Sequence, residues 1–240
     1  MPEEFEYQDL SEAVFWDVAL RRATFRDVDL TGARITHSRL VDVEVDGDVD
    51  RLVVNGVDVT DVVNAGDRWY PLRAEVRAKD PAGLRRAQEA LAEAWAPVIE
   101  RARSLTDAQL RQSVDGEWSF IQTLRHLVFC DDKWFLVPVL GEPAFHAIGI
   151  SNSGSADFPW PGVDREATAT LDDVLAVRAA QSSRLAAYLD TVTDEELARQ
   201  VEVLENGTTP VADCLYVVSE ESFQHLRYAT RDLDRLTTQS

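Results

Sequence analysis

From Phe5 to Val45 every fifth residue is large and apolar: Phe5, Leu10, Phe15, Leu20, Phe25, Leu30, Ile35, Leu40 and Val45. A helix repeats its faces about every 3.6 residues and a strand every two, so neither can keep a period of five on one side. A chain written this way has to turn at each fifth residue, as a tightly wound coil with short sides does. A second register reinforces the first. Two positions before most of these residues stands a small or β-branched side chain, Ala13, Val18, Ala23, Val28, Ala33, Ser38 and Val43, giving two inward positions per short side.

Units such as Ala23-Thr24-Phe25-Arg26-Asp27 and Ala33-Arg34-Ile35-Thr36-His37 resemble the pentapeptide-repeat family. The resemblance implies a right-handed, four-sided β-solenoid with four repeats to a coil, here about two coils, with Leu52 to Val57 as a further edge. Solenoids gain stability from stacked neighbours, so a segment this short is expected to lean on the rest of the protein. Some large members of that family mimic DNA and bind topoisomerases, but two coils make too short a rod to copy a duplex.

Past Thr60 the punctuation changes. Residues 61–80 read as a linker, with a hinge-like Asn64-Ala65-Gly66-Asp67 and an extended Trp69-Tyr70-Pro71. Residues 81–240 then carry helical signals. Asp80-Pro81 opens a first helix to about residue 104, which Pro97 is expected to kink. Ser119-Phe120-Ile121-Gln122 is a capping box for a second helix reaching about Val137. Thr170 with Asp173 starts a third, to about residue 190, and Thr193 caps a short turn. Thr209-Pro210 starts a fourth, to about Leu236, while Asn206-Gly207 marks a tight hairpin. The expected architecture is α+β: a four-helix bundle with long crossovers, preceded by the short solenoid over 1–60.

The formal charge of −19, from 43 acidic and 24 basic residues, repels phosphate backbones and anionic lipid, so neither nucleic acid nor a membrane is an expected partner. No apolar run is long enough to span a bilayer and the start has no signal-peptide pattern, which points to the cytoplasm. The two cysteines, Cys130 and Cys214, are expected to be free thiols.

Four histidines allow each to be judged singly. His37 falls on an outward repeat position. His126 lies among Leu124, Leu127 and Val128 on the inward side of the second helix, where a polar ring needs partners. His225 follows Glu221 by four residues, one turn apart on the inner face of the fourth helix, close enough to share a metal ion. Two imidazoles and a carboxylate leave coordination positions open, as at catalytic metals.

Residues 81–240 resemble the DinB superfamily of four-helix metal-binding proteins, through Asp115-Gly116-Glu117-Trp118-Ser119, Thr123-Leu124-Arg125-His126-Leu127 and Phe223-Gln224-His225-Leu226-Arg227-Tyr228. Carried over residue by residue, His126 and His225 match two histidines of the family pattern, and Glu221 stands where a middle histidine is commonest. That substitution is similar to the mycothiol-dependent maleylpyruvate isomerase branch, which places Glu there around zinc; the iron-binding branch uses histidines. The resemblance implies a divalent metal, zinc first and iron, nickel or manganese also compatible. It would activate a low-molecular-weight thiol for transfer to, or isomerisation of, a small electrophile. Only Lys79 and Lys133 among the basic residues are lysines, which fits high-GC codon usage and makes mycothiol the expected thiol.

Cys130, four residues after His126, could reach the same ion, but core packing is the simpler expectation. Cys214 is too far from Glu221, and His146 in its loop is a pocket wall or a fourth ligand. Tyr228 is a candidate catalytic group, with Arg231 beside it. The aperiodic Gly149–Asp164 stretch, with Phe158 and Trp160, reads as an ordered loop over the open end of the bundle. Two rival functions use the same trio: metal-dependent hydrolysis with no thiol, and a non-catalytic interaction protein in which the trio is a buried polar network. A homodimer is compatible with either.

Overall fold

The computed structural model describes residues 4–6, 8–26, 28–152 and 158–238, and divides the chain into two compact units, Met1–Thr60 and Asp61–Ser240. In the first unit the period of five appears as backbone geometry. Glu12, Asp17, Arg22, Gly32, His37 and Asp42 all have positive φ, one at each corner two residues past a repeat centre. Asp27, the missing member of that series, lies outside the described residues. Alternate corners close with backbone bonds, from Ala13 N to Leu10 O, Ala23 N to Leu20 O and Ala33 N to Leu30 O. Asp9 and Asp29 accept from Ser11 N and Thr31 N to fix two of these turns.

The repeat centres do not become a core. From Phe5 to Val45 they are 45–73% exposed, since so few repeats leave each apolar side chain without stacked neighbours on both sides. The further edge expected from Leu52 to Val57 is corrected. Val53–Val54 (β1) and Val57–Asp58 (β2) pair as an antiparallel hairpin around Asn55-Gly56, both at positive φ, as a two-residue turn requires.

The second unit is helical. Its elements are Thr60–Gly66 (α1), Tyr70–Val76 (α2), Pro81–Arg103 (α3), Asp107–Leu110 (α4), Phe120–Asp131 (α5), Leu171–Leu189 (α6), Asp194–Ala198 (α7) and Val211–Thr238 (α8). The hairpin Gln200–Glu202 (β3) with Thr208–Pro210 (β4) precedes α8. The linker expected at 61–80 is instead α1 and α2. Pro71 sits in the first turn of α2, where its missing N–H costs nothing, and Trp69, Leu72 and Val76 pack with Leu91 and Phe223. Pro97 is accommodated inside α3, which runs on to Arg103. The caps read from the sequence are present: Asp80 accepts from Gly83 N, and Ser119 and Thr170 form full capping boxes with Gln122 and Asp173. After Asp131 the helix continues as a π-helical turn, Asp132–Leu136, with Val137 N bonded to Asp132 O.

Two apolar clusters define the directions of the long helices. One gathers Trp95 and Val98 of α3, Leu124 and Leu127 of α5, Val174 of α6, and Leu226 and Leu233 of α8. The other gathers Leu84 of α3, Phe135 of the π turn, Leu185 and Leu189 of α6, and Leu215 and Val218 of α8. Hence α5 and α6 run from the first cluster to the second while α3 and α8 run the opposite way, and the chain must cross the unit between Leu136 and Thr170. That crossover is tied to the flank of α5 by Phe145 and Trp160, which pack on Phe129 and Cys130. Residues 153–157 of the loop expected there lie outside the described residues. Among the described residues no helix is long and apolar enough to cross a membrane.

Candidate metal centre

Between the two apolar clusters the facing sides of α5 and α8 turn polar. Ser219 and Ser222, both buried, take bonds from Gln88 Nε2 and Trp95 Nε1 on α3. Toward α5 the same stretch of α8 presents Glu221 and His225, opposite His126 and Cys130. Burial makes the partners of these groups decisive, since a polar atom removed from water loses about 1–3 kcal/mol if left unpaired.

His126 is 4% exposed, and its Nδ1 lies 2.8 Å from the carbonyl oxygen of Ile150 on the crossover. A carbonyl only accepts, so Nδ1 carries a proton and the ring is held with Nε2 toward α8, the orientation a ligating histidine needs. Nε2 faces Cys130 Sγ at 3.2 Å and Glu221 Oε2 at 3.6 Å. His225 repeats the device: its Nδ1 donates to the backbone oxygen of Glu221 at 2.8 Å, with Glu221 Oε2 at 3.4 Å. The two imidazole centroids are 4.9 Å apart. Burial, then the neighbouring His126, pushes His225 down to about 4, which keeps it neutral. Burial works against the Glu221 carboxylate, but His126, His225 and Cys130 outweigh it and hold the group below its ordinary range. Burial, followed by the charges of Glu221 and Asp131, pushes the Cys130 thiol well up.

One ligand atom each from His126, Cys130 and Glu221 lies within 4.8 Å of the others. Tetrahedral ligands at 2.0–2.3 Å from an ion are themselves about 3.3–3.8 Å apart, so the 3.2 and 3.6 Å separations suit one ion without large movement. Nitrogen, carboxylate oxygen and sulfur together form a donor set for zinc or a similar borderline ion.

His126 and Glu221 are thus brought together, with His225 alongside but outside that group of three, whose third donor is Cys130, expected as core packing. The i, i+4 spacing from His126 was its signal. Trp118, which enters the sequence reading only as part of the Asp115–Ser119 motif, has its ring 4.5 Å from His126 and 6.2 Å from His225 and covers both. Tyr228 is edge-on to His225 at 6.0 Å. Arg231 is engaged elsewhere, pairing with Glu117 and Asp232. Cys214 is buried in the second apolar cluster. His146 is exposed and lines a separate cleft of about 490 Å³ with Asp132, Gln181 and Arg184. His37 is exposed at a repeat corner.

A family model described as the DinB superfamily matches residues 90–229. The chain belongs to the DinB superfamily. The DinB match takes in α5, α6 and most of α3 and α8, and with them His126, Cys130, Glu221, His225 and Tyr228. Pentapeptide repeats match in eight copies over residues 9–43, ahead of the DinB region. No curated protein and no solved structure matches this DinB chain.

Proposed function

We propose that the polar layer between α5 and α8 holds one divalent metal, zinc in the first instance, through His126, Glu221 and His225, and that the protein is a thiol-activating enzyme. On this reading the four long helices form the bundle that carries the site. The observation that supports it is His126, whose Nδ1 is committed to the Ile150 carbonyl and whose Nε2 lies 3.6 Å from Glu221 Oε2, with the His225 ring alongside, held through Nδ1 by the Glu221 backbone oxygen. A bound ion of this class supplies a lowered thiol pKa, so that a small thiol becomes a thiolate at neutral pH. The chain does the rest. His126 is oriented by Ile150 and His225 by its own helix, Trp118 closes one side against water, and Tyr228 stands where a phenol can meet an electrophile's oxygen. A mycothiol-type thiol and a small electrophile are the proposed partners, with S-transfer or isomerisation as the outcome.

Cys130 favours a second reading. With its sulfur 3.2 Å from His126 Nε2, it can complete a four-donor set that leaves no place for an incoming thiol, and the metal would then be structural.

Elemental analysis of the untagged protein tests the site. About one equivalent of metal is expected in the wild type, lost in Glu221→Ala and His225→Ala. A wild type that stays metal-free after incubation with zinc, iron, nickel and manganese overturns it. Cobalt substitution then separates the readings: a sulfur-to-cobalt absorption band present before any thiol is added, and lost in Cys130→Ser, marks the closed site; a band that needs added thiol marks the open one.

A further inference from the structure

The π-helical turn, the crossover and α6 enclose a cleft of about 490 Å³ whose lining includes none of the candidate metal ligands. Leu136, Phe145 and Val177 give it apolar walls, and its two buried polar residues are Asp132 and Gln181. Gln181 is 5% exposed, and its Nε2 donates to Val128 O at 3.1 Å and to Asp132 Oδ1 at 2.9 Å. Both partners are acceptors, so the amide cannot be turned over. Its Oε1 is left as a buried acceptor with no hydrogen-bond partner among the described residues. Asp132, 3% exposed, accepts at Oδ1 from Gln181 and at Oδ2 from His146 N, 2.7 Å away. An ionised carboxylate has about four acceptor sites, so about two of them remain open.

A buried acceptor without a donor is costly to keep, and such an orphan calls for an explanation. Geometry says how one molecule can serve both residues. The oxygen and nitrogen of an amide are about 2.2 Å apart, which puts Gln181 Oε1 within about 5 Å of Asp132 Oδ1. One donor nitrogen about 2.9 Å from each oxygen spans that separation.

Charge then selects the donor. Arg184 pairs with Glu142, so the fixed charge that remains in the lining is that of Asp132, and an anion is repelled. A hard metal ion asks for about six oxygens, whereas much of this lining is apolar. A hydroxyl can donate to Gln181 but brings no charge to the carboxylate. An alkylammonium supplies N–H groups for both acceptors, a positive charge for Asp132 and carbon for the walls.

We infer that this cleft is a binding site for a small primary alkylammonium, whose nitrogen bridges Gln181 Oε1 and the Asp132 carboxylate while its chain lies against Phe145 and Val177. The site is independent of the thiol-activating reading, because it shares no residue with the metal centre.

The test titrates n-butylammonium, 1-butanol and butyrate into the isotope-labelled full chain, with the Gln181 side-chain amide and the His146 backbone amide followed by NMR. Butylammonium is expected to shift both signals saturably and to bind at least tenfold more tightly than 1-butanol, while butyrate leaves them unmoved. Asp132→Asn lowers the ammonium to the affinity of the alcohol, and Gln181→Leu, read at His146, weakens both. Ala180→Trp fills the cleft from an exposed position on α6 and keeps both polar groups, so it abolishes binding and serves where either of the other variants fails to fold. No saturable shift with butylammonium overturns the inference, as does an alcohol that binds equally well. Shifts that survive Asp132→Asn or Ala180→Trp overturn it too, since they mark general association of a cation with a chain of charge −19.

Discussion

Phe25 and Leu226 are both large apolar residues placed by a regular repeat, yet Phe25 is 60% exposed and Leu226 is fully buried. The repeat segment and the helical unit differ in what their periodicity secures. A period of five dictates where the backbone turns, and the positive-φ corners from Glu12 to Asp42 obey it. Burial, however, needs a second layer, and one short run of turns does not bring its own. In the helical unit each apolar stripe meets other helices, so periodicity and burial coincide. Local pattern sets conformation; stacking sets stability.

Substitutions can press on that difference. Leu226→Ala removes a side chain from the centre of the first cluster, and a loss of about 2–5 kcal/mol is expected in urea unfolding followed by circular dichroism. A smaller value would mean that the helical core is packed no better than the repeats. Thr170→Ala deletes the bond that Thr170 Oγ1 accepts from Asp173 N and the one it donates to Asp173 Oδ2, leaving the bond from Thr170 N, and should cost about 1 kcal/mol in the same assay. Asp80→Ala tests a charged cap. The bond from Gly83 N lowers the Asp80 carboxyl below its usual value, so the folded state favours the carboxylate. Its contribution is present above about pH 4 and fades as pH falls through the lowered value. Asp80→Ala should therefore melt at a lower temperature than the wild type at pH 7, with the gap closing in acid; a constant gap would show that the effect is not electrostatic. Phe25→Ala should change stability by no more than about 0.5 kcal/mol, and a cost comparable to that of Leu226→Ala would reveal stacking of the repeats in solution.

The same difference explains what could be read from the chain. Caps are local chemistry, so Asp80, Ser119, Thr170 and Thr193 marked their helices within a residue or two. That His126, Glu221 and His225 would be neighbours was legible because His126 sits in an apolar stripe and Glu221 and His225 share a helical face. The helix at Tyr70–Val76 was hidden by Pro71, since proline in a first turn and proline in an extended segment look alike until Trp69 and Leu72 find Phe223. Ile150 reaches His126 from the crossover, 24 residues further along the chain. No spacing rule joins the two, and only packing does.

The π-helical turn at Asp132–Leu136 bears on how such a chain can be altered. It winds one residue more into a single turn than regular α-helical winding would use, so the face bearing His126 and Cys130 and the face bearing Phe135 keep the phase they would have on a helix one residue shorter. Removing a single residue there would tighten the turn to α-helical winding and leave Phe135 and Leu136 in the second cluster, whereas removing one from the regular part of α5 would rotate everything beyond it by about 100°. The turn is thus a stretch of this helix in which length, as well as composition, can be edited.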